Sequence, residues 1–208
     1  MSDPYRRLVS ERPGATIVQT MKIKTDEAKF IELLVHAVNK LAGQGRGMST
    51  KINKILYFCD FAHVRKTGDP ITGYEYQKLP QGPAPRALVP VRDQLVANGT
   101  LSSTATTDEF GYNHHIFSAS RPADLSVFNN SERQTIDGVV SKIASMSARE
   151  VSDLSHQDAG WQMATVGQSI PFASAYIGED NAVPDRLLDQ LEASAKKITA
   201  KLGPRIAG

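Results

Sequence analysis

Ile52-Asn53-Lys54-Ile55-Leu56-Tyr57-Phe58-Cys59-Asp60-Phe61-Ala62-His63-Val64 is the stretch on which the folding of this 208-residue chain turns. Ile52, Ile55, Leu56, Cys59 and Ala62 fall on one stripe of a 3.6-residue period, and Phe58, Phe61 and Val64 cover most of the remaining circumference. A helix that is apolar nearly all round is a central strut and not a surface element. Asn53, Tyr57 and Asp60 form its one mixed polar stripe, Ser49 fits the N-cap, and Gly68 ends the helix after Lys66 and Thr67.

Length and composition bound what can surround this strut. The chain is long enough to bury a full core without cross-links, and its single cysteine, Cys59, excludes a disulfide framework. No apolar run reaches the roughly 18 residues of a membrane span, and no signal-peptide core follows the polar start Met1-Ser2-Asp3-Pro4-Tyr5-Arg6-Arg7. A cytoplasmic protein is expected. The formal net charge of +2 offers no global attraction to nucleic acid or to a membrane surface.

Outward from the strut, residues 1–24 read as a basic arm with a short strand at Thr16-Ile17-Val18. Thr25 is placed to cap a helix that starts with Asp26 and Glu27 and carries Phe30, Leu33, Leu34, Ala37 and Leu41 on one face, ending at Gly43. Gly43-Gln44-Gly45-Arg46-Gly47 follows a helix and lacks Gly-Lys-Ser/Thr, so it reads as a connector and not a phosphate loop. After the strut, Tyr74-Glu75-Tyr76-Gln77-Lys78-Leu79 alternates as a short strand, and Gly82-Pro83-Ala84-Pro85 is expected to start a helix carrying Leu88, Val91 and Leu95 and closed by Asn98-Gly99. Leu101 to Thr107 and His114 to Ala119 form a hairpin. This order raises a winged-helix, DNA-binding alternative. Arg86 and Arg92 set against Asp93, with acidic residues at the hairpin tip, weaken it, and nucleic acid is not the expected partner.

Beyond the hairpin, Ser131-x-x-Gln134, Ser147-x-x-Glu150 and Ser155-x-x-Asp158 resemble three helix starts that build a compact cap, anchored by Trp161 through its indole N–H. Ile170-Pro171-Phe172 is a bend or edge strand. A last helix from Pro184 carries Leu187, Leu188, Leu191, Ala195, Ile198 and Leu202 on a stripe that either docks on the core or faces a partner. The whole is a predominantly helical α+β domain over residues 25–170, with a central buried helix, packed helices and a small antiparallel sheet or hairpin, an arm at 1–24 and an extension at 171–208.

Chemistry-bearing groups are sparse. Cys59 and His63 lie four apart on one helix face, but a cysteine on a buried stripe behaves as a small hydrophobe. His114 and His115 are neighbours in a strand and point to opposite faces. Gly-x-Ser-x-Gly, His-Glu-x-x-His and Cys-x-x-Cys are all missing, so no catalytic residue, cofactor or metal is assigned, and the chain is not expected to be an enzyme. Asn53, Asp60 and Lys78 are the polar groups closest to the apolar centre, placed either for structural hydrogen bonds or for contact with a partner.

Lys54 through Gly68, followed by Ile71-Thr72-Gly73-Tyr74-Glu75-Tyr76-Gln77-Lys78-Leu79-Pro80-Gln81-Gly82-Pro83-Ala84-Pro85, resembles the Panacea, or SocA-like, antitoxin domain, and Leu154-Ser155-His156 with Trp161 is similar to its distal motif. The resemblance covers about residues 30 to 165. It implies a bacterial or phage antitoxin that neutralises a cognate toxin by direct protein–protein binding, without catalysis; some members are adaptors that hand the toxin to a protease. Tyr74, Tyr76 and Trp161 are hot-spot candidates by residue type, and His156 joins them through the distal motif. A second copy of the chain is a further candidate partner. The arm and the C-terminal extension fall largely outside the matched motifs, where specificity for one toxin can reside.

Overall fold

The computed structural model describes residues 23–177 except 46, 108–110 and 112. In chain order the elements are α1 (Glu27–Lys40), α2 (Met48–Thr67), β1 (Tyr76–Leu79), β2 (Gly82–Pro85), α3 (Leu88–Ala97), β3 (Leu101–Thr107), β4 (Asn113–Ala119), α4 (Asn130–Ala144), α5 (Ala148–His156), α6 (Ala159–Met163) and β5 (Ser169–Ile170). Single 3-10 turns lie at Leu125–Val127 and Phe172–Tyr176. Strands β2, β1 and β5 form one antiparallel sheet in that order, with Tyr76 opposite both Pro85 and Ile170. Strands β3 and β4 form a separate hairpin, from Leu101 opposite Ala119 to Thr107 opposite Asn113. No helix among the described residues is long and apolar enough to cross a membrane.

Helix α2 is the axis, as its all-round apolar pattern predicts. Ile55, Leu56, Tyr57, Cys59, Phe61 and Val64 are fully buried, and α1, α4, α5, β2 and the Phe172–Tyr176 turn pack around it. The supposed polar stripe is not a surface: Tyr57 and Asp60 are as buried as the leucines, and Lys51, Lys54 and His63 are buried too. Ser49 is not the cap. The N-cap lies two residues earlier, at Gly47, which offers no side chain, and the helix closes on Gly68 in the left-handed region, whose N–H reaches Val64 O at 2.8 Å.

The other boundaries shift by physical causes that are visible locally. Asp26, not Thr25, caps α1 by accepting from Lys29 N–H. For α4 the capping box is Asn129 with Glu132 instead of Ser131 with Gln134, while Ser147 and Glu150 cap α5 as expected. Ser155 starts nothing; it is buried within α5, and Asp158 caps the short α6. Asn98 and Gly99 close α3. The strand at Thr16-Ile17-Val18 and the helix from Pro184 lie outside the described residues.

Gly82-Pro83-Ala84-Pro85 is a strand, not a helix start. Each X-Pro step pushes the residue before proline out of the helical region, so two in succession hold the chain extended. The register tolerates the missing donors. Arg86 N–H donates to Glu75 O at 3.0 Å, and two-residue alternation puts Gly82 and Ala84 on that same side, so both prolines face away from β1.

The turn between α2 and β1 is held from inside the core. Asp60 accepts from Thr72 N–H at 2.7 Å, Thr72 Oγ1–H at 2.5 Å and Tyr76 O–H at 2.8 Å. Tyr76 Oη also lies 2.8 Å from Leu56 O, and one hydroxyl hydrogen cannot serve two acceptors. A protonated Asp60 resolves the conflict by donating to Tyr76 while Tyr76 donates to Leu56. Burial drives the carboxyl in that direction, its pKa raised against the pull of the Thr72 and Tyr76 hydrogen bonds.

Asp60→Ala leaves the buried Thr72 N–H and hydroxyl without an acceptor and Tyr76 Oη without its donor, and should cost about 3 kcal/mol or more, read as a lower denaturation midpoint. Asp60→Asn, which keeps the shape, should cost less. Because folding favours the protonated acid, the wild-type advantage over Asp60→Asn should be largest below the unfolded carboxylate pKa and shrink as pH rises through the raised folded value. A deficit that grows with pH would show Asp60 to be buried as an anion.

Candidate partner-binding site

Lys54 faces the outer edge of β2. Its ammonium donates to Gln81 O at 2.5 Å and Pro83 O at 3.3 Å, covering carbonyls that an edge strand would otherwise bury unpaired. No carboxylate pairs with it among the described residues, and burial alone holds its pKa down at about 8. Gly82, at φ +100°, is required by this contact: a Cβ there would stand 2.6 Å from Lys54 Cε and 2.7 Å from Nζ. Lys54 is thus a buried cation stitching the axial helix to the β1–β2 hairpin.

Tyr57 makes the next stitch. Its hydroxyl donates to Asp158 Oδ1 at 2.6 Å, and burial followed by the Asp158 charge pushes the phenol pKa up. The same oxygen of Asp158 caps α6 through Gly160 N–H and Trp161 N–H, so Tyr57 sets where Trp161 stands. The indole N–H then reaches Leu79 O at 3.1 Å. His156 stacks on the Trp161 ring with centroids 4.1 Å apart, and the Lys78 ammonium lies over that ring at 4.0 Å. Met163 and Val166, just beyond, are among the most exposed large apolar side chains described.

Two adjoining cavities meet at Leu79, the residue whose carbonyl accepts the Trp161 indole N–H. One, of about 140 Å³, is lined by Ile52, Asn53, Leu79, Leu88, Val89 and Phe117 among others. The second, of about 240 Å³, is bounded by Thr50, Asn53, Lys54, Leu79, Pro80, Gln81 and Gly82. Asn53 and Leu79 belong to both, so they form one groove along the first turns of α2. Asn53 Oδ1 is buried there with no donor among the described residues.

The seven residues expected to meet a partner separate into groups. Lys78, His156 and Trp161 come together, partly exposed, and adjoin Asn53 through Leu79. Tyr74 is apart from them, its ring packed on Phe30 of α1 with centroids 4.3 Å apart. Asp60 and Tyr76 are corrected: both are buried, and their hydrogen bonds serve the α2–β1 turn instead of a surface. Cys59 is fully buried and burial pushes its thiol pKa up; His63 Nδ1 lies 2.6 Å from Asp69 O. His114 and His115 both border a cleft of about 720 Å³ with Ser49, Thr50 and Arg149. Lys54 was missed, although a lysine inside an otherwise apolar helix was the available signal.

Two outcomes follow from Lys54. Its depressed pKa penalises the charged form in the folded state, so stability should rise with pH between about 8 and 10.5 by about 3 kcal/mol relative to Lys54→Met. Denaturation of both proteins across that window checks it; parallel curves would contradict it. Gly82→Ala should cost about 2 kcal/mol or more, through the positive φ and the overpacked Lys54 stem.

No curated protein and no solved structure matches the chain. The family model for the antitoxin SocA-like, Panacea domain matches residues 52–162, which run from the start of the groove-lining turn of α2 through Trp161 and make up more than half of the chain. The chain therefore belongs to the SocA-like antitoxin family with a Panacea domain.

Proposed function

We propose that this protein is the antitoxin of a toxin–antitoxin pair, acting inside the cell by binding its toxin directly and carrying out no catalysis of its own. Membership of the SocA-like, Panacea family is the observation that carries this reading. The site chemistry supports it. Trp161, with a cation on its ring and a histidine stacked against it, is a rigid, partly exposed aromatic of the kind that anchors protein interfaces, and Met163 and Val166 extend the apolar surface beside it. The buried hydrogen bonds of Asp60, Tyr57 and Lys54 keep that surface preorganised, so little ordering cost is left for the moment of binding. Neutralisation then consists of covering the toxin's active site or excluding its substrate across an interface of about 1,600 Å² in total.

The test is co-expression with the neighbouring open reading frame. That frame alone should arrest growth, the full chain should restore it, and the two proteins should co-purify. Trp161→Ala, at a partly exposed position, should weaken the complex by about tenfold or more while leaving the fold intact by circular dichroism. Growth arrest that persists with the full chain present, or rescue without any complex, would contradict the proposal.

A further inference from the structure

We propose that the groove along the first turns of α2 is a peptide-binding site that takes an extended segment of a protein partner, with an acidic side chain seated in the Thr50–Lys54–Gln81 cavity and a neighbouring apolar side chain in the Ile52–Phe117 cavity. The inference deepens the antitoxin reading by naming where, and by what chemistry, a partner segment is held.

Charge complementarity selects the occupant. Lys54 is 1 % exposed, and its two acceptors are neutral carbonyls, which use two of the three ammonium hydrogens and leave the charge uncompensated. Among the described residues no carboxylate lines either cavity; the other cations in the wall, Arg86 and Arg92, already hold Glu75 and Asp93. A carboxylate entering beside Lys54 supplies the missing counter-charge through a charge-assisted hydrogen bond.

The polypeptide nature of the occupant comes from Asn53. Its amide stands on the wall shared by the two cavities, with Oδ1 buried and lacking a donor among the described residues. A side-chain amide presents one acceptor and a pair of donors, the pattern that matches the N–H and C=O of an extended backbone. The first cavity is walled mostly by Ile52, Leu79, Leu88 and Phe117 and suits an aliphatic side chain. Adjacent positions of one extended strand point to opposite sides, so an acidic and an apolar residue two apart share the groove-facing side.

A phage-displayed library of random dodecapeptides, panned against the full chain, tests this. Enriched sequences should place Asp or Glu next but one to Leu, Ile, Met or Phe. Synthetic peptides carrying the enriched sequence should bind about tenfold more weakly to Asn53→Ala and Lys54→Met, and not at all to Thr50→Trp, which fills the second cavity from its rim. Circular dichroism reports folding of each variant; if Lys54→Met fails to fold, Asn53→Ala and Thr50→Trp still decide. Enrichment without an acidic residue, or peptides that bind Thr50→Trp undiminished, overturns the proposal. Peptides matching residues 1–22 or 178–208 of the chain itself, with no other sequence enriched, also overturn it, because the groove then holds a segment of its own chain. Peptide binding with no growth rescue sinks the antitoxin reading and leaves the groove standing. Rescue undiminished in Thr50→Trp does the reverse.

Discussion

Burying a helix on most of its circumference, as α2 is over residues 51–65 apart from the half-buried Asn53, Phe58, Ala62 and Arg65, removes water from its polar side chains as well as its apolar ones, and each buried one must then find a partner inside the protein. Helix α2 meets this constraint with four groups that reach outward to four different parts of the chain. Asp60 takes the Thr72 turn, Tyr57 takes Asp158, Lys54 takes the carbonyls of the β1–β2 hairpin, and Lys51 takes Gln44 at 2.6 Å. Apolar packing brings the helices together without specifying which face meets which. These directional bonds specify it.

Function hangs on the same bonds at one remove. Tyr57 fixes Asp158, Asp158 caps α6, and α6 carries Trp161 to within reach of Leu79 and Lys78. A half-buried aromatic held this way has little conformational freedom left to lose on binding. Elsewhere the scaffold is closed by ion pairs between a buried carboxylate and a more exposed cation: Glu32 receives both arms of Arg121 and the Asp124 N–H, and the Arg121 guanidinium holds its carboxyl below the usual range. Lys29 and Glu132 tie α1 to α4 at 2.8 Å.

Much of this was legible in the residues themselves. The all-round apolar run at Ile52 to Val64 announced the axis, Ser147-x-x-Glu150 announced α5, and the turn residues between Thr107 and His114 announced the hairpin. Errors came where short-range rules compete. Gly82-Pro83 suggests a helix start because proline is welcome in a first turn, yet Pro85 follows at a spacing that favours extended backbone, and only the pairing with β1 decides. Tyr76 looked available to a partner because tyrosine is common at interfaces, and Asp60 because it is a polar group in an apolar run. Their hydrogen bonds to Thr72 and Leu56 are not readable at a separation of 12 or more residues. Lys54 was hidden for the opposite reason: a lysine is ordinarily assigned to solvent, and its buried role appears only when the edge carbonyl of Pro83 is placed beside it.

The central claim is that buried polar bonds from α2, and not apolar packing alone, hold the elements that present the site. Native-state hydrogen exchange of the Thr72 amide, the donor to Asp60 Oδ1, measures this most directly. If the claim is right, that amide opens only with global unfolding and its exchange free energy equals the stability measured by denaturation, despite its place in a turn. Exchange through a local opening, at a free energy well below the global value, would contradict it.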